Sequence, residues 1–256
     1  MGDIVIRIVD LKKSFDNQKV LDGINLEIER GKITVIIGKS GSGKSVLLKH
    51  IIGLIKPDSG EIWVDGKEIT KLSEKELNGI RLNFGMLFQE AALFDSMSIW
   101  ENVAFPLVER TRLKKEEIKR IVDEKLEQVG LLEHANKLPS EVSGGMKKRA
   151  GLARALVLDP PIVLFDEPTS ALDPVMSLTI SDLIKETQRK LKKTYVVISH
   201  DIIGMFRIAD KVAMLSGGKI IAYGTPEEIS VSKNPDIKEF LDASRIKEIG
   251  GQNEKR

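Results

Sequence analysis

The sequence of 256 residues contains no cysteine. This absence excludes disulfide bonds and cysteine-ligated zinc or iron–sulfur sites within the chain, and it fits a reducing compartment. The 40 Lys and Arg nearly balance the 38 Asp and Glu, so no bulk basic field indicates nucleic acid as a partner. No apolar run approaches the roughly 18 residues that a membrane-spanning helix needs. We therefore expect any work at a membrane to depend on a separate membrane-spanning protein.

Targeting signals are missing from the first residues as well. Residues 1–7 show no basic stretch followed by an apolar one, so we expect no signal peptide. Ile6 stands where myristoylation requires Ser or Thr, so we expect no myristoyl anchor. Hydrophobic residues make up 41% of the chain, which suffices for the core of one large domain or of a domain with an inserted lobe.

The stretch 38–45, Gly-Lys-Ser-Gly-Ser-Gly-Lys-Ser, matches G-x-x-x-x-G-K-[ST], the phosphate-binding P-loop. An apolar run over 33–37 predicts a strand before it, and apolar residues at helical spacing over 46–55 predict a helix after it. In this context the glycines let several backbone N–H groups point at one phosphate chain. Lys44 would reach the β and γ phosphates, and the Ser45 hydroxyl would hold Mg²⁺. The alternative is a Gly/Ser loop that merely turns the chain.

Apolar patterning predicts an α/β protein. Strands are predicted over 4–9 and 24–28, with a turn at 15–18 and a two-residue hairpin at Asp65-Gly66, so the front third should hold antiparallel strands. Helices are predicted over 71–80, 114–130, 144–158 and 175–191. Core strands are predicted over 84–88, 162–165, 195–198, 212–215 and 220–222. Residues 90–113 are mixed in pattern.

Polar residues follow three of these core strands: Gln89, the pair Asp166-Glu167, and His200. Ligands bind at the carboxyl ends of strands in an open parallel sheet, so we expect all of them to converge on the P-loop. Asp166 suits a Mg²⁺ carboxylate, and Glu167 suits the base that deprotonates the attacking water. His200 would donate to the γ phosphate, and Gln89 would touch Mg²⁺ or the water. Taken singly, each has a plainer explanation as a turn, a helix cap or a satisfied polar group.

In this order the motifs resemble the ATP-binding cassette (ABC) family over about residues 4–230. Ile162 to Glu167 resembles the Walker B strand, and Val142-Ser143-Gly144-Gly145-Met146 resembles a signature that usually reads Leu-Ser-Gly-Gly-Gln. Residues 170–173 resemble the D-loop, Gln89 the Q-loop and His200 the switch histidine. The resemblance implies a P-loop NTPase (RecA-like) core with an antiparallel β subdomain and an inserted α-helical signature subdomain. Met146 departs from the family glutamine, but the backbone donors beside it survive the change.

The resemblance also implies a mechanism and its residues. Two copies would clamp two ATP molecules head to tail, so we expect a homodimer with Mg²⁺ and ATP bound. The implied catalytic residues are Glu167, His200 and Lys44, and the implied Mg²⁺ ligands are Ser45, Gln89 and Asp166. Capping of ATP in trans falls to Ser143, Gly144, Gly145 and Asp173. The implied ATP-binding set is Phe15 at adenine, Gly38, Lys39, Ser40, Gly41, Ser42, Gly43, Lys44, Ser45, Val46 and Gln89.

Two segments, 142–155 and 93–107, look like those of the ATPase of Mla-type phospholipid transporters. That likeness implies a permease, an MCE-domain lipid-binding protein, and a place on the cytoplasmic face of the inner membrane. In the family, the segment after the Q-loop forms the groove for the permease. We therefore expect Phe94, Met97 and Trp100 to contact it, the alternative being that they form ordinary core of the helical lobe.

Two other functions share the same motifs. One is the ATPase of an importer for a small solute such as an amino acid or phosphate, and the other is a soluble iron–sulfur assembly ATPase. The predicted lobes are an ATPase core over 1–89 and 160–232, a helical lobe over 90–159, and a tail over 233–256. The ATP site itself does not name the cargo, and the tail is either a dimer contact or a frayed terminus.

Overall fold

A computed structural model of the chain describes residues 3–242. The chain divides into two compact units, one of residues 1–71 with 198–256 and the other of residues 72–197. Much of the predicted tail, from residue 243 onward, lies outside the described residues. Within the described range, no helix combines the length and the apolar composition needed to cross a bilayer.

The strands, in chain order, are β1 (Ile4–Phe15), β2 (Gln18–Glu29), β3 (Ile33–Ile37), β4 (Ser59–Val64), β5 (Lys67–Glu68), β6 (Phe84–Leu87), β7 (Ile162–Asp166), β8 (Thr194–Ser199), β9 (Lys211–Ser216) and β10 (Lys219–Gly224). The helices are α1 (Lys44–Ile51), α2 (Glu74–Arg81), α3 (Ile99–Arg110), α4 (Lys115–Gln128), α5 (Gly144–Leu156), α6 (Pro174–Leu191), α7 (Ile202–Phe206) and α8 (Pro226–Ser230). Short 3₁₀ turns occupy Leu132–His134 and Pro139–Glu141, and residues 235–242 are helical.

The first unit contains the predicted antiparallel lobe, a sheet in the order β2-β1-β4-β5. The hairpin between β1 and β2 turns at Asp16 and Asn17, whose φ angles of 47° and 64° are left-handed. Asp and Asn tolerate that conformation better than other side chains, and two such residues suit the right-handed twist of a hairpin. The lobe buries one face of β1, including Ile6 and Ile8.

Strand β3 leads directly into the P-loop. All its residues are buried, as expected for a strand covered on both faces, and it pairs in parallel with β9. Strand β10 then pairs antiparallel with β9. Helix α1 follows the loop and buries Leu47, Leu48 and Ile51.

In the second unit, β6 pairs in parallel with β7, and α5 packs closely on β6. A Cβ at Gly85 would lie 2.1 Å from the carbonyl oxygen of Ala155, so only glycine allows this approach. Helix α5 also contacts α3 and α4. The helix that begins at the signature is therefore fixed against the strand that ends near the Q-loop.

Element boundaries differ from the predicted ones where a cap decides them. The predicted helix over 46–55 ends at Ile51, because Gly53 adopts φ 70° and lets Leu54 N donate to Lys49 O at 2.8 Å. The predicted helix over 71–80 begins at Glu74, since Ser73 and Glu76 form a capping box. A second box at Ser98 starts α3 inside the segment whose pattern was mixed.

Candidate active site

The P-loop curls around the side chain of Lys44. Its Nζ donates to Gly38 O at 2.9 Å and to Lys39 O at 3.2 Å, and the side chain is buried. A Cβ at Gly38 would lie 2.4 Å from Leu215 O, so this position must be glycine. Gly43, the residue before α1, adopts φ 98° and offers no side-chain cap. Glycine at this position is compatible with a phosphate that accepts hydrogen bonds from the first N–H groups of α1.

Lys39 of the P-loop forms an ion pair that the sequence did not reveal. Its Nζ lies 2.8 Å from Glu239 Oε1, in the helical stretch 235–242. The hydrogen bond from Lys39 lowers the pKa of Glu239, and the same bond raises the pKa of Lys39. Part of the predicted tail therefore contacts the phosphate-binding loop of its own chain.

Phe15 lies at the end of β1, where the resemblance implies adenine stacking, and its side chain is 42% exposed. Lys13 Nζ lies 5.3 Å from the centroid of the Phe15 ring. Asp58 accepts a hydrogen bond from Lys13 Nζ at 2.7 Å and another from Ser14 N at 2.7 Å. The Phe15 ring is thus exposed on the surface, while the Asp58 carboxylate holds both the Lys13 ammonium and the backbone N–H of Ser14 beside it.

The Walker B residues end β7 in the second unit. Asp166 is the last residue of the strand, and Glu167 follows with a left-handed φ of 49°. Both side chains are mostly buried. Ser170 N donates to Glu167 O at 3.1 Å, which closes the turn into the D-loop. The conformation of Glu167 costs a non-glycine residue of the order of 1 kcal/mol or more, so its surroundings must hold it.

Lys148 of α5 joins three segments that the sequence predicted to be functional. Its Nζ donates to Gln89 O, to Glu167 O at 3.3 Å and to Ser170 Oγ at 3.2 Å. Burial lowers the pKa of Lys148, and the nearby carboxylates of Glu90, Asp166 and Glu167 oppose that shift. No motif in the sequence marks this lysine as a functional residue.

Arg154, further along α5, reinforces the same arrangement. Its guanidinium donates to Ala91 O at 2.6 Å and to Ala92 O at 2.8 Å. Both alanines have left-handed φ angles, 59° and 47°. The segment after β6 is therefore held in an unfavourable backbone conformation by hydrogen bonds from α5.

The signature residues begin α5. Ser143 is exposed and is the N-cap, where its Oγ accepts from Met146 N at 3.3 Å. This leaves the hydroxyl proton able to donate to a phosphate oxygen. Gly145 faces Met176, whose Cε would lie 2.4 Å from an added Cβ. Asp173, predicted to act in trans, caps α6 by accepting from Val175 N and Met176 N at 3.0 Å.

Gln89 and His200 have exposed side chains. Gln89 lies two residues beyond β6, and its carbonyl oxygen, rather than its amide, receives Lys148. His200 directly follows β8, and the next residue, Asp201, caps α7. The structure thus brings Gln89, Glu167 and Ser170 together through Lys148, while the roles of the Gln89 amide and the His200 imidazole stay predictions.

The donor set fits Mg²⁺. Ser45 offers a hydroxyl and Asp166 a carboxylate, both hard oxygen ligands, and Mg²⁺ in nucleotide sites takes few protein ligands plus phosphate oxygens. No cluster of three or more His, Cys, Asp or Glu side chains suited to a metal occurs in residues 3–242. A preformed all-protein cage for a larger ion is accordingly not found there. Ser45 belongs to one unit and Asp166 to the other, and their shared coordination stays a prediction.

The three residues expected to contact a permease differ in their exposure to solvent. Phe94 is 43% exposed, although its ring lies 4.8 Å from that of Phe105. Trp100 is half-buried and donates from Nε1 to Asp123 Oδ1 at 2.9 Å. Trp100 also lines a cleft of about 670 Å³ between α3 and α4. Met97 is half-buried as well, so contact with a permease stays a prediction for all three.

A single buried side chain organises the loop that carries Phe94 and Met97. Asn102 Oδ1 accepts from Phe94 N at 2.7 Å, and Asn102 Nδ2 donates to Phe94 O, Met97 O and Ser98 O at 3.0–3.1 Å. The Asn102 side chain is completely buried. These four hydrogen bonds tie the loop between the Q-loop and α3 to the first turn of that helix.

Comparison with known proteins adds the family and its members. The family model described as ABC transporter matches residues 21–170. A probable ribonucleotide transport ATP-binding protein, mkl of Mycobacterium leprae, is 44% identical over 98% of this chain and 73% of its own length. The intermembrane phospholipid transport system ATP-binding protein MlaF of Haemophilus influenzae is 43% identical over 94% of this chain and 91% of its own length. The methionine import ATP-binding protein MetN of Carboxydothermus hydrogenoformans is 46% identical over 90% and 68%, respectively.

Solved structures share the fold. A dimeric ATP-binding cassette in a post-hydrolysis state, bound to ADP and Pi, superposes with a TM-score of 0.79 at 33% identity. The match covers 86% of this chain and 98% of that one. The predicted α/β cassette fold is therefore confirmed.

Proposed function

Because this chain belongs to the ABC transporter family and is an ATPase, we propose that it powers phospholipid transport by a separate membrane permease. The observation that carries the proposal is the match to MlaF, which runs over 94% of this chain and 91% of that protein. By contrast, the match to mkl covers only 73% of that protein and the match to MetN only 68%, so both relatives contain more sequence that has no counterpart in the match. The signature of this chain, Gly144-Gly145-Met146, supports the same subfamily.

The proposed hydrolysis begins at the P-loop. The backbone N–H groups of residues 38–45 and the ammonium of Lys44 hold the β and γ phosphates of ATP. Mg²⁺, held by Ser45, Asp166 and Gln89, supplies charge neutralisation to the phosphates when bound. Phe15 stacks on the adenine. These contacts place the γ phosphate with its bond to the β-phosphate oxygen facing away from the attacking water.

Glu167 takes a proton from the attacking water while the water oxygen bonds to the γ phosphorus. The bond between the γ phosphorus and the β-phosphate oxygen breaks at the same time, and ADP leaves. His200 donates a hydrogen bond to a γ-phosphate oxygen. Ser143 and the N–H groups of Gly144 and Gly145 donate to the γ phosphate bound by a second copy of the chain, which is why we propose a homodimer. Hydrolysis removes the γ phosphate from between the copies and releases them.

A second candidate is the ATPase of a small-solute importer, which the 46% identity to MetN favours. Both candidates use the same ATP chemistry and differ in the permease and its extracytoplasmic partner. For the phospholipid transporter we propose an MCE-domain protein as that partner, and for the importer a solute-binding protein. In both cases the chain would work at the cytoplasmic face of the inner membrane.

The test is an affinity pull-down of the tagged full-length chain from native membranes in mild detergent, followed by mass spectrometry of proteins and lipids. A polytopic permease with an MCE-domain protein and bound phospholipid would support the proposal. A permease with a solute-binding protein would support the second candidate. Recovery of soluble scaffold proteins alone would overturn both.

Two matched variants sharpen the experiment. Phe94→Asp should lose the permease if this exposed ring contacts it. Val231→Asp places the same charge at another exposed apolar position, 78% exposed in the first unit, and should keep the permease. Equal recovery of the permease with both variants would remove Phe94 from the contact.

A further inference from the structure

The ammonium of Lys148 is saturated by three acceptors from two stretches of the chain, one at Gln89 and the other in the turn from Glu167 to Ser170. It has three N–H donors, and the structure gives it Gln89 O after β6, Glu167 O after β7 and Ser170 Oγ in the D-loop. The side chain is only 6% exposed, so water does not compete strongly for these bonds. A buried, fully bonded lysine at such a junction fixes the positions of both stretches relative to α5.

Glu167 needs such support. Its φ of 49° is left-handed, and its carbonyl oxygen accepts two hydrogen bonds, from Ser170 N at 3.1 Å and from Lys148 Nζ at 3.3 Å. A peptide plane held by two donors fixes the backbone from which the carboxylate projects. Loss of the lysine bond would remove one of these two donors from a residue in an unfavourable conformation.

The position of Lys148 in α5 adds a second consequence. Lys148 lies five residues after Ser143, the exposed N-cap of the same helix. A displacement of the first turns of α5 would therefore shift Glu167 O and Gln89 O as well, because the buried Lys148 side chain bonds to both. Helix α5 is also closely packed on β6 at Gly85 and Gly151, which restricts its displacement relative to that strand.

We propose that Lys148 is a positioning residue for hydrolysis, which holds the backbone of Glu167 and the Q-loop in register with the signature helix of the same chain. The proposal rests on the proposed role of Glu167 as the base. The contacts of the Lys148 ammonium are with protein atoms, so we assign it no direct role at ATP or at the attacking water. It acts on the rate of the chemical step through Glu167, and nucleotide affinity does not depend on it.

The experiment compares Lys148→Met, Lys148→Arg and Lys125→Met in the purified full-length chain. Lys125 is a matched control, because it is also buried, at 8% exposure, yet its Nζ contacts Gln128 on its own helix. We expect Lys148→Met to lower kcat by about 10- to 100-fold, since small misplacements of a catalytic group have effects of that order. KM and the Kd for ATP should change less than about twofold, because the P-loop is untouched.

Lys148→Arg keeps a buried cation with several donors and should recover at least about fivefold of the lost kcat. Lys125→Met should retain the wild-type kcat. A wild-type kcat in Lys148→Met, or an equal loss in Lys125→Met, would overturn the proposal. A parallel rise in KM would do the same, because it would indicate a general structural defect. If Lys148→Met does not fold, Ser170→Ala removes one acceptor alone and should lower kcat severalfold at unchanged KM, and an unchanged kcat there would count against the proposal.

Glu167→Gln separates this proposal from the one on which it rests. If Glu167→Gln hydrolyses ATP normally, the role of Glu167 fails. If Glu167→Gln is inactive and Lys148→Met is normal, only the role of Lys148 fails. The double variant, which combines Glu167→Gln with Lys148→Met, should bind ATP and dimerise like Glu167→Gln alone. The reason is that positioning of the base matters only after the ATP-bound dimer has formed.

Discussion

The ammonium nitrogen of Lys13 lies 5.3 Å from the centre of the Phe15 ring, at the proposed adenine end of the ATP site. Asp58 holds Lys13 there by a hydrogen bond of 2.7 Å, and this bond keeps the pKa of Asp58 below its usual range. A carboxyl whose pKa is lowered by folding stabilises the folded state at a pH above its ordinary pKa. This stabilisation is lost as the pH falls through the lowered pKa. The arrangement should therefore be fully present above the ordinary aspartate pKa of about 3.9.

Lys13→Met should weaken ATP binding by about two- to fivefold, the range expected for an exposed cation–π contact that orients a ring. Binding of tripolyphosphate, which has no adenine, should not change. Titration calorimetry with both ligands measures the difference. Lys12→Met is the control, because Lys12 is the neighbouring residue and pairs with Asp10 instead. A loss of tripolyphosphate binding in Lys13→Met would show that Lys13 acts on the P-loop and not on adenine.

Glu167→Gln should bind ATP, form a stable ATP-bound dimer and lose about 10²- to 10⁴-fold in turnover, because the amide cannot accept the proton of water. Size-exclusion chromatography with ATP and a phosphate-release assay measure the two effects. Glu186→Gln, an exposed carboxylate paired with Lys190, should behave as the wild type. Near-normal turnover in Glu167→Gln would exclude Glu167 as the base.

Ser143→Arg should leave ATP binding by the monomer intact and abolish dimer-dependent hydrolysis. The exposed Ser143 would donate to the γ phosphate on the second copy, and a long cation at that position blocks the approach. Ser73→Arg is a matched control, since Ser73 is also an exposed serine N-cap and its loss costs about 1 kcal/mol of stability in the same way. Hydrolysis that rises with protein concentration in Ser143→Arg as in the wild type would contradict capping in trans.

His50 should make stability depend on pH. Its side chain is 1% exposed, Nδ1 donates to Val46 O at 2.8 Å, and burial lowers the pKa of the imidazole. Among charged groups nearby, Lys13 lowers this pKa further and Asp58 raises it. The unfolded chain therefore binds a proton before the folded one does, so the free energy of unfolding falls as the pH drops below about 6.5.

The slope from one such group is at most about 1.4 kcal/mol per pH unit. Urea unfolding between pH 5 and pH 8 should show this slope for the wild type, and His50→Gln should flatten it. His134→Gln, at a half-buried position in a 3₁₀ turn of the other unit, is the control and should leave the slope unchanged. A slope that persists in His50→Gln would assign the effect to another group.

Residues whose chemistry is local are the ones that a sequence can predict. A P-loop would bind phosphate with consecutive backbone groups, so eight consecutive residues and their flanking patterns suffice to recognise the motif. Lys148 was missed because its partner Gln89 lies 59 positions away, and no local pattern marks a lysine that will be buried. The ion pair between Lys39 and Glu239, which lie 200 positions apart, was missed for the same reason.

The predicted helix boundaries were wrong where backbone or side-chain caps override the apolar period. The α1 pattern continues to residue 55, but Gly53 ends the helix at Ile51. The mixed segment before Arg110 holds a helix whose start is visible only as the Ser98 and Glu101 box. Apolar spacing indicates which face of a helix is buried, and short polar motifs determine where the helix begins and ends.

The closed amide network of Asn102 has a consequence for any protein that docks beside α3. A surface loop normally loses conformational entropy when a partner binds it, at roughly 1–2 kcal/mol for each backbone residue that becomes fixed. Here the four hydrogen bonds of one buried side chain have already fixed residues 94–98 during folding. The loop is therefore preorganised, and a protein that docks on it should lose little of this entropy on binding.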